Sequence, residues 1–221
     1  LIHMLQEIPF VGILLLASNI VVSLRGFKQD LFFDKYRFEV HKIQKGEYFR
    51  LLSSAFLHVN TTHLLFNMFT FYFFVSFVVS ALGAPPFVLL YFGSLLAGNL
   101  FAYAFHRNQP NYIAVGASGA VTGVLFSALL LYPEMELMLF FIPIPIPGYL
   151  FGIGYMIYTL YGMKAQNDNI GHTAHFGGAL GGILMTILFN FEVIYTSQLM
   201  LGILFITLVL AGVLLYRNQQ F

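Results

Sequence analysis

Charge is scarce in this chain. Only 9% of its 221 residues are Asp, Glu, Lys or Arg, where an ordinary soluble domain carries about 25%. With 59% of residues hydrophobic, that deficit excludes a soluble globular protein and leaves a polytopic, all-helical membrane protein. No room remains for a separate soluble domain of ordinary size, so residues 1–221 are read as a single membrane domain. Cysteine is absent, which excludes disulfides and thiolate metal sites. Tryptophan is absent too, and interfacial anchoring falls to the 13 tyrosines. A formal net charge of +1 implies no nucleic-acid partner. The first apolar stretch lacks a basic leader and a small-residue cleavage site, so the expectation is a retained helix and not a signal peptide.

A crossing helix needs about 20 mainly apolar residues. Seven segments qualify, over roughly 8–24, 58–82, 86–105, 116–132, 148–163, 171–190 and 199–216. The shortest must be tilted, interfacial or shielded by neighbours. The first linker is long and holds seven of the ten Lys and Arg. Gly83 and Pro85-Pro86 predict a tight turn. Pro143-Ile144-Pro145-Ile146-Pro147 cannot be regular helix, because proline lacks an N–H donor; an extended loop along the membrane surface is expected.

If each segment crosses once, the second, fourth and sixth start on one face of the membrane. His58, His63 and Asn67 open the second, Ser118 the fourth, and His172 and His175 the sixth. Three sequence-distant polar clusters therefore share one depth.

Ser118 lies in Gly116-Ala117-Ser118-Gly119-Ala120, about two residues into its helix. The small residues alone read as a helix-packing face. The motif is not the hydrolase elbow, since no strand is expected before it and position 120 is alanine. A histidine inside a membrane segment is costly and marks a functional site by default. Gly177, Gly178, Gly181 and Gly182 follow His175 and bare a face that can pack on the fourth segment. Such packing brings an imidazole to a hydroxyl that is a poor nucleophile until a base takes its proton. No Asp or Glu lies inside these three segments, and Asp168 sits in a loop. The expectation is a Ser118–His175 dyad without a carboxylate. His63 and Asn67, four apart, share a helix face and offer donors toward one space, as a developing oxyanion requires. His58 is off that face. A metal site built from His58, His63, His172 and His175 is disfavoured, because no His-Glu-x-x-His motif or carboxylate accompanies them; no metal and no cofactor are expected. Glu47 and Arg50, spaced i, i+3, read as a local pair anchoring the first loop.

Glu47-x-x-Arg50, His58-x4-His63-x3-Asn67, Gly116-Ala117-Ser118-Gly119 and Ala174-His175-x-x-Gly178 together resemble the rhomboid family of intramembrane serine proteases. The resemblance covers about residues 47–182. It implies a six-helix core over about 8–190 and an added C-terminal helix over about 199–216. It also implies Ser118 as nucleophile, His175 as general base, and an oxyanion hole from His63, Asn67 and the Ser118 N–H. Gly116, Gly119 and His58 become supporting residues, and transmembrane proteins in the bilayer become the substrates. The first loop would be a partly embedded element beside the site, and the fifth segment a lateral gate. Some members place a tyrosine four residues after the serine to support the histidine ring. Thr122 stands there, so the support must come from elsewhere, from an aromatic residue of the second or fifth segment.

All ten Lys and Arg fall on the side of the odd-numbered loops and the C-terminus. The positive-inside rule turns that side to the cytoplasm, whereas many bacterial members open the site to the outer face. The expectation follows the family, in a bacterial inner membrane. Two other functions compete: a catalytically silent binder of transmembrane clients, and a histidine-lined metal transporter. Substrate, membrane face and oligomeric state are not legible in the residues.

Overall fold

The computed structural model describes residues 7–139, 142–166, 168 and 170–218. Each expected span is a helix. Helix α1 (Phe10–Gly26) leads through α2 (Asp30–Tyr36), strand β1 (Phe38–Glu39), α3 (Val40–Gln44) and α4 (Arg50–Ser53) to α5 (Thr61–Leu82) and α6 (Ala84–His106). Strand β2 (Ile113–Ala114) precedes α7 (Ser118–Leu131). Strands β3 (Glu136–Leu139) and β4 (Ile142–Pro147) lead into α8 (Gly148–Ala165), α9 (His172–Phe189), α10 (Val193–Thr196) and α11 (Gln198–Asn218). Among the described helices, α5, α6 and α9 are long and apolar enough to cross a membrane. Helix α7 has 14 residues and rises only about 21 Å, short of the ~30 Å hydrocarbon core. It is shielded by protein on every side, since residues from Gly119 to Leu130 are all buried.

Two glycine stripes make that burial possible. Gly177 and Gly181 share one face of α9, and Gly178 and Gly182 the adjacent one, because residues four apart align along a helix. The first stripe meets α6: a Cβ on Gly177 would come 2.7 Å from the Ala97 carbonyl oxygen, and one on Gly181 2.7 Å from Ala97 Cβ. The second stripe meets α7, where a Cβ on Gly178 or Gly182 would overlap the backbone carbonyls of Gly119 and Gly123. Lipid removes the hydrophobic drive between helices, so close backbone packing must hold them together. Farther along, the Thr186 hydroxyl donates to the Gly182 carbonyl (2.7 Å) and lies 2.8 Å from Ser127 Oγ of α7.

The first loop is tied down from inside. Arg50, 4% exposed, pairs with Glu47 at 2.7 Å and donates to the carbonyls of Asp34 and Arg37, both at 2.8 Å. The expected i, i+3 pair is therefore an anchor of the first loop. Strand β1 pairs antiparallel with β2, Phe38 against Ala114, and so carries the loop to the segment before Ser118. A short strand thus does precede the serine, contrary to the sequence reading.

The proline run also differs from expectation. It is strand β4, paired antiparallel with β3, Leu137 against Ile146 and Glu136 against Pro147. Alternation explains it. Every second residue of a strand turns its N–H toward the partner, so isoleucines at 142, 144 and 146 can pair while the prolines fall on the side needing no donor. The turn after α5 is Gly83 alone, at φ +81°, and Pro85 and Pro86 belong to the first turn of α6, where a missing N–H costs nothing. Helix α11 packs on α8 through Met200, which meets Gly152, and the Ser197 hydroxyl donates to the Leu130 carbonyl at 2.6 Å.

Gly182→Val is expected to destabilise the protein by about 1–3 kcal/mol or more, since overpacked contacts cost that much even where side chains can adjust. Gly154→Ala, where a Cβ meets nothing within 4 Å, is expected to be neutral or stabilising by about 0.5–1 kcal/mol. Thermal unfolding in detergent compares the two; equal midpoints would refute the close contact of α7 and α9.

Candidate active site

Ser118 is the first residue of α7, not two residues into it. Its approach is built from three sides. The Gly116 N–H donates to the Ser54 carbonyl at 3.1 Å, the Ala117 N–H points at His58 Nε2 at 3.4 Å, and β2 is paired with β1. Gly116 stands at φ +131°, a left-handed conformation that favours glycine. A Cβ there would also lie 2.7 Å from His63 Cε1, 2.9 Å from His63 Nε2 and 3.7 Å from Ser118 Oγ. Glycine therefore lets the imidazole of α5 and the hydroxyl of α7 border the same space. At a helix start the first N–H groups lack intrahelical acceptors, and among the described residues nothing accepts the Ser118 N–H.

His175 lies in the first turn of α9. Gly119, next to the serine, would place a Cβ 3.2 Å from the carbonyl oxygen of Ala174, next to the histidine. The glycine contact thus brings the two helix starts together. No hydrogen bond joins Ser118 to His175 among the described residues; such bonds are often long before substrate binds. His175 Nδ1 instead lies 3.0 Å from the hydroxyl of Tyr155, and that hydroxyl lies 3.1 Å from Thr122 Oγ1. The two rings stand 6.1 Å apart at 24°. The aromatic support expected from the second or fifth segment is therefore on the fifth, α8, and the threonine at the departed position takes part in it.

His63 and Asn67 share a face of α5, as their spacing predicted. Asn60 caps the helix, its Oδ1 accepting the His63 N–H at 2.8 Å. Asn67, 7% exposed, donates from Nδ2 to the His63 carbonyl at 3.0 Å. Its amide has a second N–H to give.

His58 precedes α5 instead of starting it, and is fully buried. Because Nε2 faces the Ala117 N–H and must accept, Nδ1 carries the hydrogen and donates to Ser23 Oγ at 2.8 Å. The Ser23 hydroxyl passes its own hydrogen to the Phe56 carbonyl at 2.9 Å. His58 thus ties α1 to the residue before the serine, a supporting place that the sequence left undefined.

His172 is apart from this group. It fills the slot left by Gly162 of α8, and its Nε2 lies 3.2 Å from both Asp168 oxygens. The nearest acid therefore meets His172, not His175. The hydrogen bond from His172 holds the exposed Asp168 carboxyl below its usual range. Its stabilising effect is present above the unfolded pKa and is lost as the pH falls through the lowered value. The histidines meet only in pairs, His58 with His63 at 4.9 Å between rings and His172 with His175 at 6.2 Å, and among the described residues no three metal-ligating side chains gather.

Comparison with known proteins gives one answer. The Rhomboid domain model matches residues 45–192. RHOMBOID-like protein 12, mitochondrial, of Arabidopsis thaliana is 30% identical over 184 residues, covering 76% of this chain and 54% of the relative. Rhomboid protein 1, mitochondrial, of Saccharomyces cerevisiae is 31% identical over 137 residues, covering 61% of this chain and 40% of the relative. YdcA of Bacillus subtilis is 35% identical over 155 residues, covering 66% and 69%. The chain spans about half the length of the two mitochondrial relatives.

His58→Phe is expected to lower stability by about 1–3 kcal/mol, because it strands the Ala117 N–H in a buried place. His41→Phe, on the exposed face of α3, serves as control and should change little. Thermal unfolding decides; equal effects would show that His58 makes no such tie.

Proposed function

The chain belongs to the rhomboid family, and on that premise we propose that it is an intramembrane serine endopeptidase. Its substrates are membrane proteins, cut in or beside a transmembrane segment. The reading is supported above all by the approach of Gly119 to Ala174, which sets a serine and a histidine from separate helices at one mouth.

In this reading His175 Nε2 takes the Ser118 proton as Oγ attacks the scissile carbonyl. The carbonyl oxygen becomes an oxyanion, received by His63 Nε2–H, the second N–H of Asn67 and the Ser118 N–H. Collapse expels the amine, which leaves with the proton from His175. Water then gives a proton to His175 and attacks the acyl-serine, releasing the new carboxyl terminus and restoring Ser118. Gly116 and Gly119 hold the approach open and His58 fixes the loop. A helical backbone is already hydrogen-bonded to itself, so the substrate unwinds locally, and Gly or Pro near the cut favours cleavage.

The protein is an integral, multi-pass membrane protein. We place it in a bacterial cell membrane, with one relative from Bacillus subtilis, although two other relatives are mitochondrial. No cofactor enters the reaction as drawn.

Purified protein in detergent should cleave a reporter carrying a Gly-containing transmembrane helix, and Ser118→Ala should cut at least about a hundredfold more slowly. Equal rates for the two forms would overturn the mechanism. A reporter bound by both and cut by neither would favour the silent client binder.

A further inference from the structure

Among the described residues His175 has no carboxylate at its Nδ1. Its partner there is the Tyr155 hydroxyl at 3.0 Å, and that hydroxyl sits 3.1 Å from Thr122 Oγ1. We propose that Tyr155, held by Thr122, is the positioning residue for His175: it fixes the imidazole as the Nδ1–H tautomer, which leaves Nε2 free to accept a proton. The inference rests on the Ser118–His175 reading for its catalytic meaning.

A neutral imidazole carries one hydrogen, on either nitrogen. A base must present its bare nitrogen to the serine, so the hydrogen belongs on the other one. A phenol both donates and accepts, and by itself it would suit either tautomer. Thr122 lets the chain run in the direction that a base at Nε2 needs. It lies one turn into α7 beside the phenol, so the Tyr155 hydrogen has a second acceptor to go to. Tyr155 Oη is then left to receive Nδ1–H. The chain runs one way, from His175 Nδ1–H to Tyr155 Oη, and from Tyr155 O–H to Thr122 Oγ1.

Packing holds the phenol in place. Its ring stands 6.0 Å from Phe126 of α7 and 6.1 Å from Phe151 of α8. One hydroxyl group therefore meets α7, α8 and α9 together. A carboxylate in that apolar place would bring the cost of a buried charge; the phenol orients the ring while neutral.

Tyr155→Phe keeps the ring and removes only the hydroxyl. The expected result is a ten- to hundredfold fall in kcat with KM within twofold, and an unfolding midpoint close to that of the wild type. Thr122→Val should lower kcat three- to tenfold, Thr122→Ser should restore it, and the double variant should be no slower than Tyr155→Phe alone. Nitrogen-15 NMR of labelled histidine reads the tautomer without any need for turnover. Wild type should show His175 protonated at Nδ1, and Tyr155→Phe a shift toward Nε2–H. A wild-type His175 protonated at Nε2, or an unchanged tautomer and kcat in Tyr155→Phe, would overturn the inference. A wild type with the Nδ1–H tautomer and no Ser118-dependent cleavage would leave the positioning role upheld and the protease reading refuted.

Discussion

Where α9 crosses α7, backbone meets backbone. Gly178 lies on the Gly119 carbonyl and Gly182 on the Gly123 carbonyl, so closely that no side chain fits between them. Everything at the site depends on this contact. The starts of α7 and α9 are brought level, which sets Ser118 and His175 at the same mouth. It also makes a 14-residue helix tenable inside a bilayer, because α7 is enclosed by protein and needs no lipid-facing length of its own. The other glycine stripe, Gly177 and Gly181, does the same against α6. Helix α9 is thus held on two sides by close packing, the main attraction available between apolar helices in lipid.

Around that crossing, the remaining polar groups divide into holders and free groups. Arg50, His58 and Asn60 spend their hydrogen bonds on loops and caps. Among the described residues the Ser118 N–H has no acceptor, and Asn67 keeps a second N–H beside the one it gives to the His63 carbonyl. Buried polar groups are nearly always paired. Unpaired donors beside a serine at a helix start are the groups that a substrate carbonyl would complete in the proposed reaction. The same division separates the histidines: His58 and His172 are committed to Ser23 and Asp168, while His175 is turned by a phenol.

Much of this was legible in the residues. Span positions followed from hydropathy, the shared depth of the three clusters from counting crossings, and the packing of α9 from glycines four apart. Other features left weaker traces. The alternation of Ile and Pro over 142–147 is a strand signal, whereas proline's missing donor without that period points only to a surface loop. The i, i+4 spacing of Asp168 and His172 was there to be seen, although the loop hid it. Tyr155 left no local trace at all. It is one tyrosine among 13, and what distinguishes it is the meeting of three helices far apart in the chain. Likewise the bond from Ala117 to His58 depends on how α1 and the first loop fold back, which no spacing reveals.

The central claim is that helix packing turns Ser118 into a nucleophile and His175 into its base. A fluorophosphonate tests this without a known substrate, since it reacts only with an activated serine. Mass spectrometry of the detergent-solubilised protein after labelling should find the adduct on Ser118. The adduct should vanish in Ser118→Ala and form at least about a hundredfold more slowly in His175→Ala. No adduct on wild-type Ser118, or an equal labelling rate without His175, would contradict the account.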